Sequence, residues 1–258
     1  MIFPSLPHLE PWQWGLAAFA AFCVGVSKTG VAGVGTVSVA LFPSVLPAKS
    51  AVGIALLVLI CADLVAVWAY PRRMVRWDIW RGLFGWAILG VAVGAVAARY
   101  LTDAPSVRRV IGAILLVMVG LTVWVQSRSV PEGADVPAPP TVPNPPYVAG
   151  IATGIATMLA NAAGPVMVLF LLPHRLPKET FVATMAWFFF ALNLFKVPFS
   201  VGAGMLDAGS PLVAACLIPA AVVGGFFGKW LLPRIEQKAF ETATLWLTGL
   251  AAARLVWG

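Results

Sequence analysis

The sequence predicts an all-α, polytopic membrane protein made of two inverted repeats, each a broken-helix hairpin followed by three transmembrane helices. Three observations lead there: composition, the layout of the apolar runs, and a duplication of features about one proline-rich break. Of 258 residues, 60% are hydrophobic and 10% are charged. Soluble domains run nearer ~45–50% and ~25%. So few charges cannot clothe a soluble surface of this size, which excludes an ordinary soluble enzyme, a disordered chain and a DNA-binding module. Charge-poor apolar runs cover 11–27, 29–48, 82–98, 110–126, 146–173, 180–195 and 208–228. Runs of ~18 or more apolar residues are long enough to cross a bilayer as helices.

Each half contains five apolar segments. In the first half they are 12–27, 30–46, 50–70, 80–98 and 107–126. The first two are short and are separated by glycine rather than by a charged loop, so they read as a hairpin of broken or tilted helices. The next three read as ordinary spans. The second half repeats the order with 147–160 and 163–173 as the hairpin, then 180–200, 211–232 and 239–257 as spans. Between the halves, 127–146 holds prolines 131, 137, 139, 140, 143, 145 and 146. That density gives an extended, solvated linker. The organisation is therefore 1–126, linker 127–146, and 147–258.

The duplication shows in matched features. Leu41-Phe42-Pro43 pairs with Leu171-Leu172-Pro173, and Asp63 falls on Asn193 at an offset of 130. Asp78 falls on Asp207, and the Gly90/Gly94 pair on Gly224/Gly228. The glycine pairs read as helix-packing faces.

Charge placement sets orientation. The net charge is +7. Loops 70–81, 127–146, 173–179 and 229–238 carry Arg72, Arg73, Arg76, Arg81, Arg128, Arg175, Lys178, Lys229, Arg234 and Lys238. The opposite loops carry Lys49, Arg99, Arg108, Arg109 and Arg254. The richer set is expected on the cytoplasmic side, which places both termini outside and inverts the second half. No basic stripe interleaved with aromatics appears, so nucleic acid is not an expected partner. The expected partners are a small anion and the lipid bilayer, and a homo-oligomer is left open. Trp12, Trp14, Trp77 and Trp80 lie near expected boundaries and read as interfacial anchors. Cys23, Cys61 and Cys216 read as small buried apolar residues. No Lys or Arg precedes Lys28, so a cleaved secretory signal is not expected.

Lys28 is a charge that loop position does not explain. It lies in Gly25-Val26-Ser27-Lys28-Thr29-Gly30-Val31-Ala32-Gly33-Val34-Gly35, with no acidic residue in the thirty positions that follow. A charge at membrane depth is costly and faces a cavity or a partner. A helix that ends and restarts here brings backbone N–H groups and a positive dipole end to the same place. Ser27, Lys28, Thr29, Gly30, Gly33 and Gly35 are thus candidates for an anion site, against a lysine that merely snorkels. The matching stretch of the second half offers Asn161, Gly164 and Pro165, against a simple cap with a proline helix start. Asn193 and Lys196 lie one turn apart within the expected span 180–200. Asp63 lies mid-span, fit for proton coupling or for an ion pair. No metal-ligand spacing, nucleophile elbow, phosphate loop or dinucleotide motif is present, so neither an enzyme nor a cofactor is expected.

At these residues the chain resembles the TauE/SafE family of bacterial membrane permeases. The resemblance rests on Gly25–Gly35, the Pro43–Pro47 turn, Ala48-Lys49-Ser50-Ala51, Ala160–Pro165, Phe181–Met185 and Ala191–Lys196. It implies transport of small sulfur-containing anions, namely sulfite, sulfoacetate, other organosulfonates or sulfate, across a bacterial inner membrane. It also implies hairpins that meet near the midplane around the anion, with the two halves rocking to alternate access. The competing readings are a transporter of another small solute, such as an amino acid or carboxylate, and a non-transport membrane protein.

Overall fold

A computed structural model describes residues 9–100 and 145–240, with 242, 243 and 246. Most of the linker, the expected span 107–126 and most of 239–257 lie outside the described residues. Every long element is helical: α1 (Pro11–Thr29), α2 (Gly35–Val45), α3 (Ala48–Ala69), α4 (Trp77–Tyr100), α5 (Pro146–Ala160), α6 (Ala163–Leu171), α7 (Lys178–Gly202) and α8 (Ser210–Leu231). Among the described residues no strand occurs. Four stretches are long and apolar enough to cross a membrane: Ser50–Ala69, Trp77–Ala98, Lys178–Gly202 and Ser210–Arg234.

Prolines set most of the helix starts. Pro11 and Pro146 occupy the first turns of α1 and α5, where a missing N–H costs nothing. Pro47 and Pro177 cap α3 and α7 in extended backbone. Gln13 Oε1 accepts from the Glu10 N–H at 2.8 Å ahead of α1. Asp207 Oδ1 accepts from the Ser210 N–H at 2.7 Å ahead of α8. The Ser210 hydroxyl and N–H hold the Asp207 carboxyl below the usual carboxylate range.

Two hairpins occupy the middle of the bundle. Chain direction follows from contacts along α3. At the tip of the first hairpin, the Thr29 carbonyl accepts from Tyr70 Oη at 2.6 Å, just past the end of α3. At the tip of the second, Asn161 Nδ2 donates to the Val52 carbonyl at 2.9 Å, near the start of α3. The tips therefore sit toward opposite ends of α3. Of the basic loops, 70–76, 172–177 and 232–236 gather at one end. There the Arg76 N–H donates to Thr184 Oγ1 at 3.1 Å, and Lys178 Nζ donates to the carbonyls of Pro233 and Ile235.

Small residues let each hairpin's first helix press against a long helix. A Cβ on Gly25 would lie 1.9 Å from the Ala221 carbonyl oxygen and 2.5 Å from the Gly225 nitrogen. A Cβ on Gly154 would lie 2.2 Å from the Ala87 oxygen and 2.6 Å from the Val91 nitrogen. In the other direction, Gly224 abuts the Phe22 carbonyl and Gly90 abuts the Ile151 carbonyl. The α1–α8 and α5–α4 crossings thus use matching positions, as the Gly90/Gly94 and Gly224/Gly228 pairs suggested.

Large apolar side chains point outward from the long helices, among them Trp68, Leu89, Val96, Val223 and Phe226. That is the surface of a multi-pass membrane protein, where lipid takes the place of a covering layer. Trp12 is exposed, in keeping with an anchor. Trp77 and Trp80 differ from the expectation. Trp80 stacks on Phe84 at 4.3 Å between centroids, and Trp77 packs on Trp187 at 6.1 Å, so both belong partly to the protein interior. The cysteines also divide: Cys23 is buried, Cys61 half-buried and Cys216 exposed. The reading of three buried cysteines therefore fails for Cys216, whose position on α8 faces away from the neighbouring helices.

Candidate functional site

The ends of the two hairpins face one another across a cavity of about 70 Å³, several times the ~10–15 Å³ that a water needs. The first hairpin contributes Ser27, Lys28, Gly33 and Gly35, and the second contributes Asn161, Gly164 and Pro165. Leu59 of α3 and Met185, Phe189 and Asn193 of α7 supply walls. Both α2 and α6 begin at this cavity, at Gly35 and Ala163. Helix starts carry backbone N–H groups without intrahelical partners and the positive end of the dipole. Asn161 makes the second tip possible by adopting left-handed backbone, φ 54°, which asparagine tolerates better than most residues.

Lys28 is held from two sides at the cavity's edge. Its Nζ lies 2.7 Å from Asp63 Oδ1 and 4.5 Å from the centroid of the Phe189 ring. The Lys28 side chain keeps 12% of its surface exposed, while Asp63 keeps none. The second Asp63 oxygen accepts from Asn193 Nδ2 at 2.7 Å. Asp63 and Asn193, 130 positions apart, therefore meet directly where α3 crosses α7. Asn193 Oδ1 is buried and has no hydrogen-bond partner among the described residues.

Lys196 does not line the cavity. It lies one turn beyond Asn193, fully buried, behind the second tip. Its ammonium donates to the Thr157 carbonyl at 2.9 Å, to Thr157 Oγ1 at 3.1 Å and to Asn161 Oδ1 at 2.5 Å. Asn161 thus has both ends committed, its amide nitrogen to Val52 and its oxygen to Lys196.

Two other candidates also point elsewhere. Thr29 is fully buried, and its hydroxyl donates to the Gly225 carbonyl at 2.6 Å, pinning α1 to α8. Gly30 faces the same helix, since a Cβ there would sit 2.9 Å from the Gly228 Cα. Helix rotation is the reason: Lys28 turns toward α3 and α7, and its neighbour Thr29 turns toward α8. Removing the Thr29 hydroxyl as Thr29→Val should lower thermal stability by about 1 kcal/mol and leave anion affinity unchanged. Parallel melting and binding measurements check this; a large affinity loss without destabilisation would put Thr29 back in the site.

Sequence reasoning missed Thr157 and Phe189. Thr157 carried a signal, because it occupies the position of Lys28 in the second hairpin at the 129-residue offset relating Gly25 to Gly154. Phe189 carried none, as one of a run of phenylalanines on a span. Among the described residues, no group of three His, Cys, Asp or Glu could hold a metal ion.

An ammonium, two helix starts and a closed polar tip thus meet at one cavity inside the helix bundle. No curated protein and no solved structure matches the chain. The family described as Sulfite exporter TauE/SafE matches it over residues 17–255, nearly its whole length. The chain therefore belongs to the TauE/SafE family of membrane transporters.

Proposed function

We propose that the protein is a secondary transporter of small sulfur-containing anions, such as sulfite or an organosulfonate, in a bacterial cytoplasmic membrane. The observation that carries this reading is the Lys28 ammonium at the edge of a cavity where two helices start. The anion binds Lys28, the Ser27 hydroxyl and the N–H groups around Gly35 and Gly164, with Asn161 and Pro165 closing the far side. A sulfonate's three equivalent oxygens suit several donors converging from two hairpins.

The two halves act as inverted repeats joined by the 127–146 linker. Hairpin tips at opposite ends of α3 and matching glycine crossings support this reading. Rocking of one half against the other exposes the cavity to each side in turn. The basic loops face the cytoplasm. Asp63 competes with the substrate for Lys28, so a proton on Asp63 frees the ammonium and couples proton entry to anion binding.

Uptake into proteoliposomes tests the proposal. Sulfite, methanesulfonate and sulfoacetate are offered against amino acids and simple carboxylates. Saturable movement of at least one sulfur anion is expected. Movement of amino acids or carboxylates alone would overturn the sulfur reading. Movement of nothing, by a protein shown to be folded, would favour a non-transport role.

A further inference from the structure

Lys28, Asp63 and Lys196 form one buried electrostatic cluster whose charges do not cancel. Asp63 and Lys196 are fully buried and the Lys28 side chain is largely so. Lys28 pairs with Asp63. Lys196 is one turn from Asn193, which itself holds Asp63, yet its own partners, Thr157 and Asn161, are all neutral. Among the described residues, Lys28 pairs with Asp63 and the exposed Arg76 with Asp78, and no second carboxylate pairs with the cluster.

The hydrogen bonds fit a charged Lys196. Asn161 Nδ2 is committed to the Val52 carbonyl, which turns Asn161 Oδ1 toward the lysine as an acceptor. With the Thr157 carbonyl and hydroxyl, three acceptors surround Nζ, the number an ammonium has donors to satisfy. With Lys196 protonated, two ammonium groups and one carboxylate leave one uncompensated positive charge inside the membrane, where such a charge is expensive.

We infer that the site selects singly charged anions, and admits a doubly charged one only when Asp63 carries a proton. This rests on the anion-transport reading above. One negative charge balances the cluster, and two overshoot it. Protonating Asp63 raises the cluster to two positive charges, which a dianion then balances. The titratable groups facing Asp63 are Lys28 from α1 and Lys196 from α7, with Cys61 on its own helix. A sulfonate or hydrogensulfite is accordingly preferred over sulfate.

The test uses probes of fixed charge on the purified full chain in lipid nanodiscs, near pH 8 and at matched ionic strength. Methanesulfonate carries one charge and sulfate two. Titration calorimetry should find methanesulfonate tighter by about a hundredfold. Asp63→Asn, which imitates the protonated acid, should reverse the order in favour of sulfate. Lys196→Gln, which removes the excess charge, should weaken methanesulfonate by a similar factor. Should Asp63→Asn fail to fold, the unmodified chain and Lys196→Gln decide the matter. Equal affinity for both probes, unmoved by the substitutions, would overturn charge selection and leave the anion site standing. Failure of methanesulfonate, sulfate and sulfite alike to bind a folded protein would overturn both.

Discussion

Lys28→Met should leave the helix bundle folded and lower its affinity for sulfite or methanesulfonate by about a hundredfold, the scale of one lost charge at membrane depth. Methionine keeps the apolar stem of lysine and gives up the ammonium's place over the Phe189 ring. What disappears is the ammonium 2.7 Å from Asp63 at the cavity edge. The substitution also leaves Asp63 with only Asn193 as a direct partner, so some loss of stability accompanies it. Removing both charges separates the effects: Lys28→Met with Asp63→Asn should recover stability and remain defective in binding. Lys28→Arg keeps the charge but needs more room and a planar arrangement of acceptors, so binding should fall less than in Lys28→Met. Ligand-dependent melting shifts measure all three, because a ligand that binds the folded state stabilises it by mass action. An undiminished shift in Lys28→Met would remove Lys28 from the site.

The largest structural effect is expected at the glycine crossings. Gly25→Val and Gly154→Val should each prevent recovery of a folded, monodisperse protein. In both cases the new Cβ meets backbone atoms on α8 or α4 well inside van der Waals contact, and backbone cannot rotate away as a side chain can. Forcing the helices apart would also separate each hairpin from the helix that fixes its tip, and so open the cavity. The alanine versions carry the same Cβ with less bulk and should fold with lowered melting temperatures; overpacking typically costs ~1–3 kcal/mol. Gly85→Ala is the control, since nothing lies within 4 Å of the added carbon, and it should be neutral. Size-exclusion profiles and melting curves of this set decide it. Normal behaviour of both valine variants would show that the crossings are not close.

Much of this arrangement was legible in the sequence because its strongest determinants are local. Glycine and proline mark where helices break, so both hairpins and their tips could be placed before any coordinates. The spacing of Gly90/Gly94 and Gly224/Gly228 announced close helix contacts, and the offset of 130 matched Asp63 with Asn193, which touch in the fold. Lysine and arginine counts grouped loops that gather at one end of the bundle.

What the sequence concealed depends on helix rotation and on long-range neighbours. Adjacent residues on a helix point about 100° apart, so Lys28 and Thr29 had to separate, but no local pattern says which one faces the cavity. Lys196 looked like a second cation for the ligand. Its side chain instead reaches back to Thr157 and Asn161, a choice set by the second hairpin docking against α7. Trp80 looked interfacial because it lies near a span end, whereas Phe84 and Phe188 draw it inward.

The proposed anion sits between the two hairpin tips, on Lys28. The most direct measurement is a structure of the protein with a heavy-atom analogue, such as selenite or 2-bromoethanesulfonate, located by its anomalous signal. The peak should lie within contact of Lys28 Nζ and close to the helix starts at Gly35 and Gly164. A peak elsewhere in the bundle, with the cavity beside Lys28 filled only by water, would rule out binding at the hairpin tips.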